Sequence, residues 1–146
     1  MKFNELCVYF EKIEETPSRL EMTRILADLF HKISIDEIDR VLYLLQGRLT
    51  PLYEQLDFGL GEKMIIRSLI ISLSVDGELF TKKYKLIGDL GKTVENFKRE
   101  QQSMFEQDMS VMQVFNALHQ IATAQGIGSQ DVKLTLLSEL VQKLDA

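Results

Sequence analysis

One cysteine, Cys7, is all the sequence holds, which excludes a disulfide-stapled fold and any cysteine-rich metal site. Cys7 falls on an apolar helical stripe, where a free thiol packs as a small hydrophobe, and its isolation points to a reducing, intracellular setting (cytoplasm, nucleoid or nucleus). Prolines are scarce too, only Pro17 and Pro51, so little interrupts helical spacing. No apolar run approaches the roughly 18 residues that a membrane span needs. The opening MKFNELCVYF is broken by polar and acidic residues, unlike a secretory signal. The two histidines, His31 and His119, lie on separate stripes without a metal-ligand partner at i+4 and read as surface or boundary residues. There is no His–Cys pairing, no Walker loop and no G-x-S-x-G. The paired carboxylates Glu14-Glu15 and Asp36-Glu37 stand at helix ends, where capping and the helix dipole account for them. The residues thus supply no catalytic group, no metal site and no cofactor site.

What is present is an ordinary globular balance, 45% hydrophobic and 27% charged over 146 residues, enough for one domain with a real core. The net charge of −5 argues by itself against nonspecific nucleic-acid binding, which needs clustered Lys and Arg. Lys82, Lys83, Lys85, Lys92, Lys98 and Arg99 do cluster against only Asp89 and Glu95. As a charge run, this reads as a solvated helix face.

Apolar residues recur every three or four positions throughout, which predicts an all-α fold, a compact bundle of short helices. Phe3, Leu6, Cys7, Phe10 and Ile13 mark a helix over about 3–14. Ser18 with Glu21, and Ser34 with Glu37, have capping-box spacing. They start a second helix (Met22, Ile25, Leu26, Leu29, Phe30, Ile33) and a third from Ile35 (Ile38, Val41, Leu42, Leu45) that closes at Gly47. The connection from Arg48 to Leu60 carries Leu49, Leu52, Tyr53, Leu56 and Phe58 and should pack across the helices, with a turn at Pro51. Ile65, Ile66, Leu69, Ile70 and Leu73 make the next stripe, and Asp76-Gly77 a turn. Phe80, Tyr84 and Ile87 suggest a helix broken by Gly88-Asp-Leu-Gly91. A polar stretch from Lys92 to Asp108 reads as a helix running into a surface connection. Val111 to Ile121 forms a further helix, and Ser129 should cap a last one carrying Val132, Leu136, Leu137, Leu140, Val141 and Leu144.

Thr23–Ile33 laid on Leu134–Leu144 matches apolar to apolar at four positions, with Phe10 and Ile13 over Leu118 and Ile121. The expectation is an incomplete two-fold repeat within a single domain, 1–146: a first half over about 1–75, a spacer over about 76–108, and the start of a second half over about 109–146. Of all segments, Gly59-Leu60-Gly61 ahead of Glu62 is the best site candidate. Free N–H groups at a helix start, with glycines permitting close approach, bind phosphate readily, and Lys63 and Arg67 add positive charge. A plain structural turn accounts for the same spacing.

LLQGRLTP followed by FGLGEKMI, with the opening FNELCVYFEKIEETPSRLEMTRILADLF and the later YKLIGDLG, resembles the N-terminal DNA-binding domain of ATP-dependent DNA ligases of the archaeal and eukaryotic kind. The resemblance covers essentially the whole chain. It implies an all-helical domain of two pseudo-symmetric halves that grips the minor groove around a nick in duplex DNA, backbone amides at helix N-termini holding phosphates. The residues so implied are Gly59, Leu60, Gly61 and Lys63, with Gly126, Gly128 and Ser129 in the DNA-facing turn of the second half. The family's nucleotidyl transfer needs a Lys-x-Asp-Gly motif. The nearest string, Ser74-Val-Asp-Gly77, has serine at the nucleophile position, so the chain alone should be inactive. ATP and Mg would serve other parts of a ligase acting in replication, repair and recombination, with nicked DNA and the catalytic domains as partners and no membrane. The rival expectation is a helical protein–protein interaction module without DNA binding.

Overall fold

A computed structural model describes residues 1–101 and 108–144. Its described residues form eight α-helices and no named strand; one isolated bridge pairs Lys2 with Ser110. The helices are α1 (Phe3–Glu15), α2 (Arg19–Lys32), α3 (Ile38–Leu45), α4 (Glu62–Leu73), α5 (Gly77–Ile87), α6 (Leu90–Gln101), α7 (Val111–Thr123) and α8 (Ser129–Lys143). None is long and apolar enough to cross a membrane. The expected surface connection up to Asp108 falls largely on residues 102–107, outside the described residues.

The chain divides into two compact units, Met1–Leu56 with Asp108–His119, and Asp57–Gln107 with Gln120–Ala146. In the first, Leu6, Tyr9, Leu29, Val41 and Val111 form the core. Leu6, Leu29, Val41 and Val111 are fully buried, which is where the three- and four-residue spacing puts the inward stripe of each helix. Ser18 caps α2 by accepting from the Glu21 amide at 3.3 Å. The tyrosine hydroxyl at the core edge is satisfied: Tyr9 donates to Asp28 (2.7 Å) and accepts from Lys32 (2.5 Å). That tyrosine bond, with Lys32 behind it, holds the Asp28 carboxyl below the usual range.

The third helix begins three residues later than the spacing predicts. Ser34 does not cap it. Its hydroxyl donates instead to Glu37 (2.9 Å), whose carboxylate also takes both hydrogen bonds from the Met1 ammonium (2.9 and 3.0 Å). Ile35 is therefore left 89% exposed rather than on the core stripe. The ends meet because Val111 donates to the Met1 carbonyl and Phe3 to the Met109 carbonyl. At the other end of α3, Gly47 takes φ +65° and donates to Leu44, the predicted C-terminal closure. Beyond it, Glu54 donates to the Pro51 carbonyl in the expected turn. Leu52 and Tyr53 stay 74% and 84% exposed, so of the five apolar side chains expected to pack there, Leu49, Leu56 and Phe58 are the ones partly buried.

The second unit is built on α4, which packs most extensively along α8 and also touches α5 and α6. Leu69, Leu73, Phe80 and Phe97 form its core, with the Phe80 and Phe97 rings stacked at 5.6 Å. Ser68, fully buried, donates to the Leu134 carbonyl at 3.0 Å, so a small residue lets α4 and α8 approach closely. Asp76 caps α5 through the Leu79 amide, and Gly88 ends it at φ +77°. One glycine suffices there. Gly91, expected to share the break, lies inside α6, because Asp89 accepts the Lys92 amide and starts the next helix. In the basic run, Lys82, Lys85 and Lys92 are exposed as expected. Lys98 is not: it is buried and donates to the Leu144 carbonyl.

Candidate nucleic-acid interface

The segment that ends in Gly59-Leu60-Gly61 is held from below by α8. Lys133 donates from Nζ to the Phe58 carbonyl at 2.8 Å, and Gln130 from Nε2 to the Gly59 carbonyl at 3.2 Å. The same ammonium lies 3.4 Å from the Ala122 carbonyl in the last turn of α7. Gly59 has φ +67°, a region where a side chain is strained, and a Cβ there would lie 2.7 Å from Lys133 Nζ. Its glycine is thus required by the fold. Gly61 differs. It is the N-cap of α4 at φ −74°, ψ 159°, and a Cβ there would meet nothing within 4 Å. Any residue could stand at 61 without strain, so the fold does not account for the glycine.

The Gly61 carbonyl accepts from Met64 and Ile65. The amides of Gly61, Glu62 and Lys63 donate to no acceptor among the described residues, which is the orphan-donor geometry of a helix start. Lys63 and Arg67 are exposed and make no ion pair among the described residues. Glu62, whose charge opposes an incoming anion, accepts from the Tyr84 hydroxyl of α5 at 3.1 Å. That hydrogen bond raises the Tyr84 pKa.

The second glycine loop opens α8. Gly126 and Gly128 have φ +99° and +82°, and Ile127 between them is fully exposed. Ser129 is not the N-cap that its residue type suggests. Gly128 holds that position, its carbonyl accepting from Asp131 and Val132, while Ser129 is the first helical residue and donates its amide to Gly126. Through Gln130 and Lys133, the Gly59–Gly61 loop is seated on the first turns of the helix that Gly126, Gly128 and Ser129 open. Sequence reasoning missed both of these side chains. The signal was available for one of them: Lys133, Leu137, Leu140 and Leu144 are spaced as one helical face, and the lysine on it is 5% exposed.

The string nearest to an adenylation motif, Ser74-Val-Asp-Gly77, serves the helix ends. Ser74 closes α4 in a left-handed conformation, and Asp76 spends its carboxylate on the Leu79 amide. The described residues hold no group of three His, Cys, Asp or Glu able to bind a metal.

Comparison with known proteins decides the family. The profile described as DNA ligase N terminus matches residues 2–146. The chain belongs to the DNA ligase N-terminus family. Its relatives include a probable DNA ligase of Dictyoglomus thermophilum, 40% identical over 144 residues, covering 99% of this chain and 24% of that protein. The DNA ligase of Acidianus ambivalens is 37% identical over 153 residues (97% of this chain, 26% of that protein), and that of Saccharolobus solfataricus 36% over 155 (99% and 26%). The chain spans about a quarter of the length of these relatives, and what it spans is the ligase N-terminal region rather than the part bearing an adenylation motif.

Proposed function

We propose that this ligase N-terminal region is a noncatalytic grip on nicked duplex DNA, working inside the cell in DNA replication, repair and recombination. The amides of Gly59, Leu60 and Gly61 and the start of α4, with Lys63 beside them, would hold backbone phosphate. Gly126, Gly128 and Ser129 at the start of α8 would approach the minor groove. Such contacts position a duplex without reading its sequence. The chemical steps, namely lysine adenylation, AMP transfer to the 5′-phosphate and attack by the 3′-hydroxyl, would belong to the catalytic domains that partner it, with ATP and Mg.

The observation that carries the reading is Gly61, a glycine that the fold does not need, among amides that no described acceptor satisfies. A close approach by an anion gives both a reason. The division into a first half over about 1–75, a spacer and a second half from about 109 belongs to the same proposal. Burial supports it: the matched residues Leu29 and Leu140 are both buried, and Ile25 and Leu136 both half-buried.

Fluorescence anisotropy with a nicked duplex at low and moderate salt tests the grip. Binding at low salt that weakens steeply as salt rises is expected; no binding at low salt would sink the reading. A second reading, a face for a protein partner, draws on Leu79 and Leu86, 53% and 80% exposed on α5. It gains if Leu86→Ser leaves DNA binding intact yet lowers affinity for a ligase catalytic fragment.

A further inference from the structure

We propose that the Met1 α-amino group is a modification-sensitive site: left free it clasps the first unit shut, and an acyl cap on it, formyl or acetyl, unfastens that unit. The inference stands on the first unit alone and does not depend on the DNA-binding reading.

The first unit is discontinuous. Met1–Leu56 supplies α1, α2 and α3, and Asp108–His119 has to return to them after the chain has passed through Asp57–Gln107. The first three residues receive that return. Val111 donates its amide to the Met1 carbonyl at 3.1 Å, Phe3 donates to the Met109 carbonyl at 2.8 Å, and Lys2 pairs with Asp108. Val111, so placed, is fully buried in one core with Leu6, Leu29 and Val41.

The ammonium fixes the other side of the clasp. It donates to both carboxylate oxygens of Glu37, the N-cap residue of α3, at 3.0 and 2.9 Å, and the Ser34 hydroxyl donates to the same carboxylate at 2.9 Å. The Met1 and Glu37 side chains are 4% and 11% exposed, so solvent replaces little of the pair. Removing one partner of such a pair strands the charge of the other. One residue thus ties both α3 and the start of α7 to α1.

An acyl cap acts on that tie through its chemistry. It exchanges an N–H for an N–C bond and leaves a neutral amide with a single N–H, where the carboxylate had taken two charge-assisted bonds. Glu37 keeps its charge and loses its counter-charge, and the cap's carbonyl brings a further acceptor up to the carboxylate oxygens. Hydrolysis reverses the change: water splits the N–C bond, the acyl carbon leaves as a carboxylate, and the nitrogen regains its proton and charge. Closure of the first unit therefore waits on removal of the cap.

Cys7, the single cysteine, makes the test direct. A synthetic Met1–Leu6 thioester with a free, formylated or acetylated amine is ligated at Cys7 to residues 7–146, which restores the full sequence. Thermal melts at neutral pH should place both capped chains about 10 °C below the free one. The same three chains carrying Glu37→Gln separate the pairing from mere bulk: there the drop should shrink to about half or less. Equal drops in the two backgrounds, or no drop in the parent, overturn the proposal. So does a formyl cap that is tolerated where acetyl is not, because size rather than charge would then decide. Since the Glu37→Gln chain can fail to fold, a second measurement uses the unaltered protein: acylation of Met1 by an amine-reactive ester, read by mass spectrometry, in buffer and in urea. The folded chain should react about tenfold more slowly or less, the amine being reached only when the clasp opens; equal rates overturn the proposal.

Discussion

At Gly61 the backbone lies at φ −74°, ψ 159°, the conformation of an N-cap residue, and a Cβ would meet nothing within 4 Å. Gly61→Asp can therefore be made without strain, and its two effects have opposite signs. Aspartate is a better N-cap than glycine by a few tenths of a kcal/mol, and its charge favours the helix start by about 0.5 kcal/mol more. Repulsion from neighbouring Glu62 takes back a part, which is limited because that carboxylate is engaged with Tyr84. The variant should be as stable as the parent or more so, with a melting temperature up by about 2 °C. A bound phosphate, by contrast, would then face a carboxylate some ångströms away. At ~4 Å the repulsion is about 1 kcal/mol in bulk water and up to about 4 at a protein surface, so duplex affinity should fall about tenfold or more. Thermal melts give the first number and anisotropy with nicked duplex at low salt the second. A variant that melts higher and binds DNA undiminished would refute the role given to the loop.

Two further outcomes test the fold. Glu37→Gln breaks the bond to the Met1 ammonium, both groups being nearly buried, and should cost about 3 kcal/mol at neutral pH. Burial works to raise the Glu37 pKa, but the Met1 ammonium and the Ser34 hydroxyl together hold it below the usual value. The lowered folded pKa means that the stabilisation is fully present above the unfolded carboxylate value and is lost as pH falls through the folded one. Melting temperatures of parent and variant should converge in acid, and a gap constant with pH contradicts the pairing. Phe80→Ala removes a fully buried ring stacked on Phe97 and should cost about 3–5 kcal/mol in urea unfolding; a loss under 1 kcal/mol would mean that Phe80 does not anchor the second core.

The helices were legible wherever local spacing decides. The first helix was expected at about 3–14 and runs Phe3–Glu15, and the second, whose apolar stripe runs to Ile33, ends at Lys32 with Ile33 as its C-cap. Gly47 and Gly88 end their helices in the left-handed region as their residue type suggests. The misreadings have causes both distant and local. Ser34 and Ile35 have good helix-start spacing, yet Glu37 is claimed by a group 36 residues away. Ser129 is a good cap by type, yet the positive φ of Gly128 supplies the turn. Val132 was placed inward and is 51% exposed, because α8 turns Lys133 and Leu134 toward its own unit.

What the sequence determined by itself is the helical class, most helix limits, the glycine loop as the candidate site, and through LQGRL and GLGEK the family. These are matters of spacing within a few residues, or of motifs that survive as strings. Tertiary structure decided which glycine is structural and which is spare: Gly59 is constrained by a lysine 74 positions away, and Gly61 by nothing. It also turned Lys133 from an ordinary helical lysine into a buried charge beneath the loop. Burial and the pairing of charge depend on neighbours far along the chain, which linear spacing does not contain.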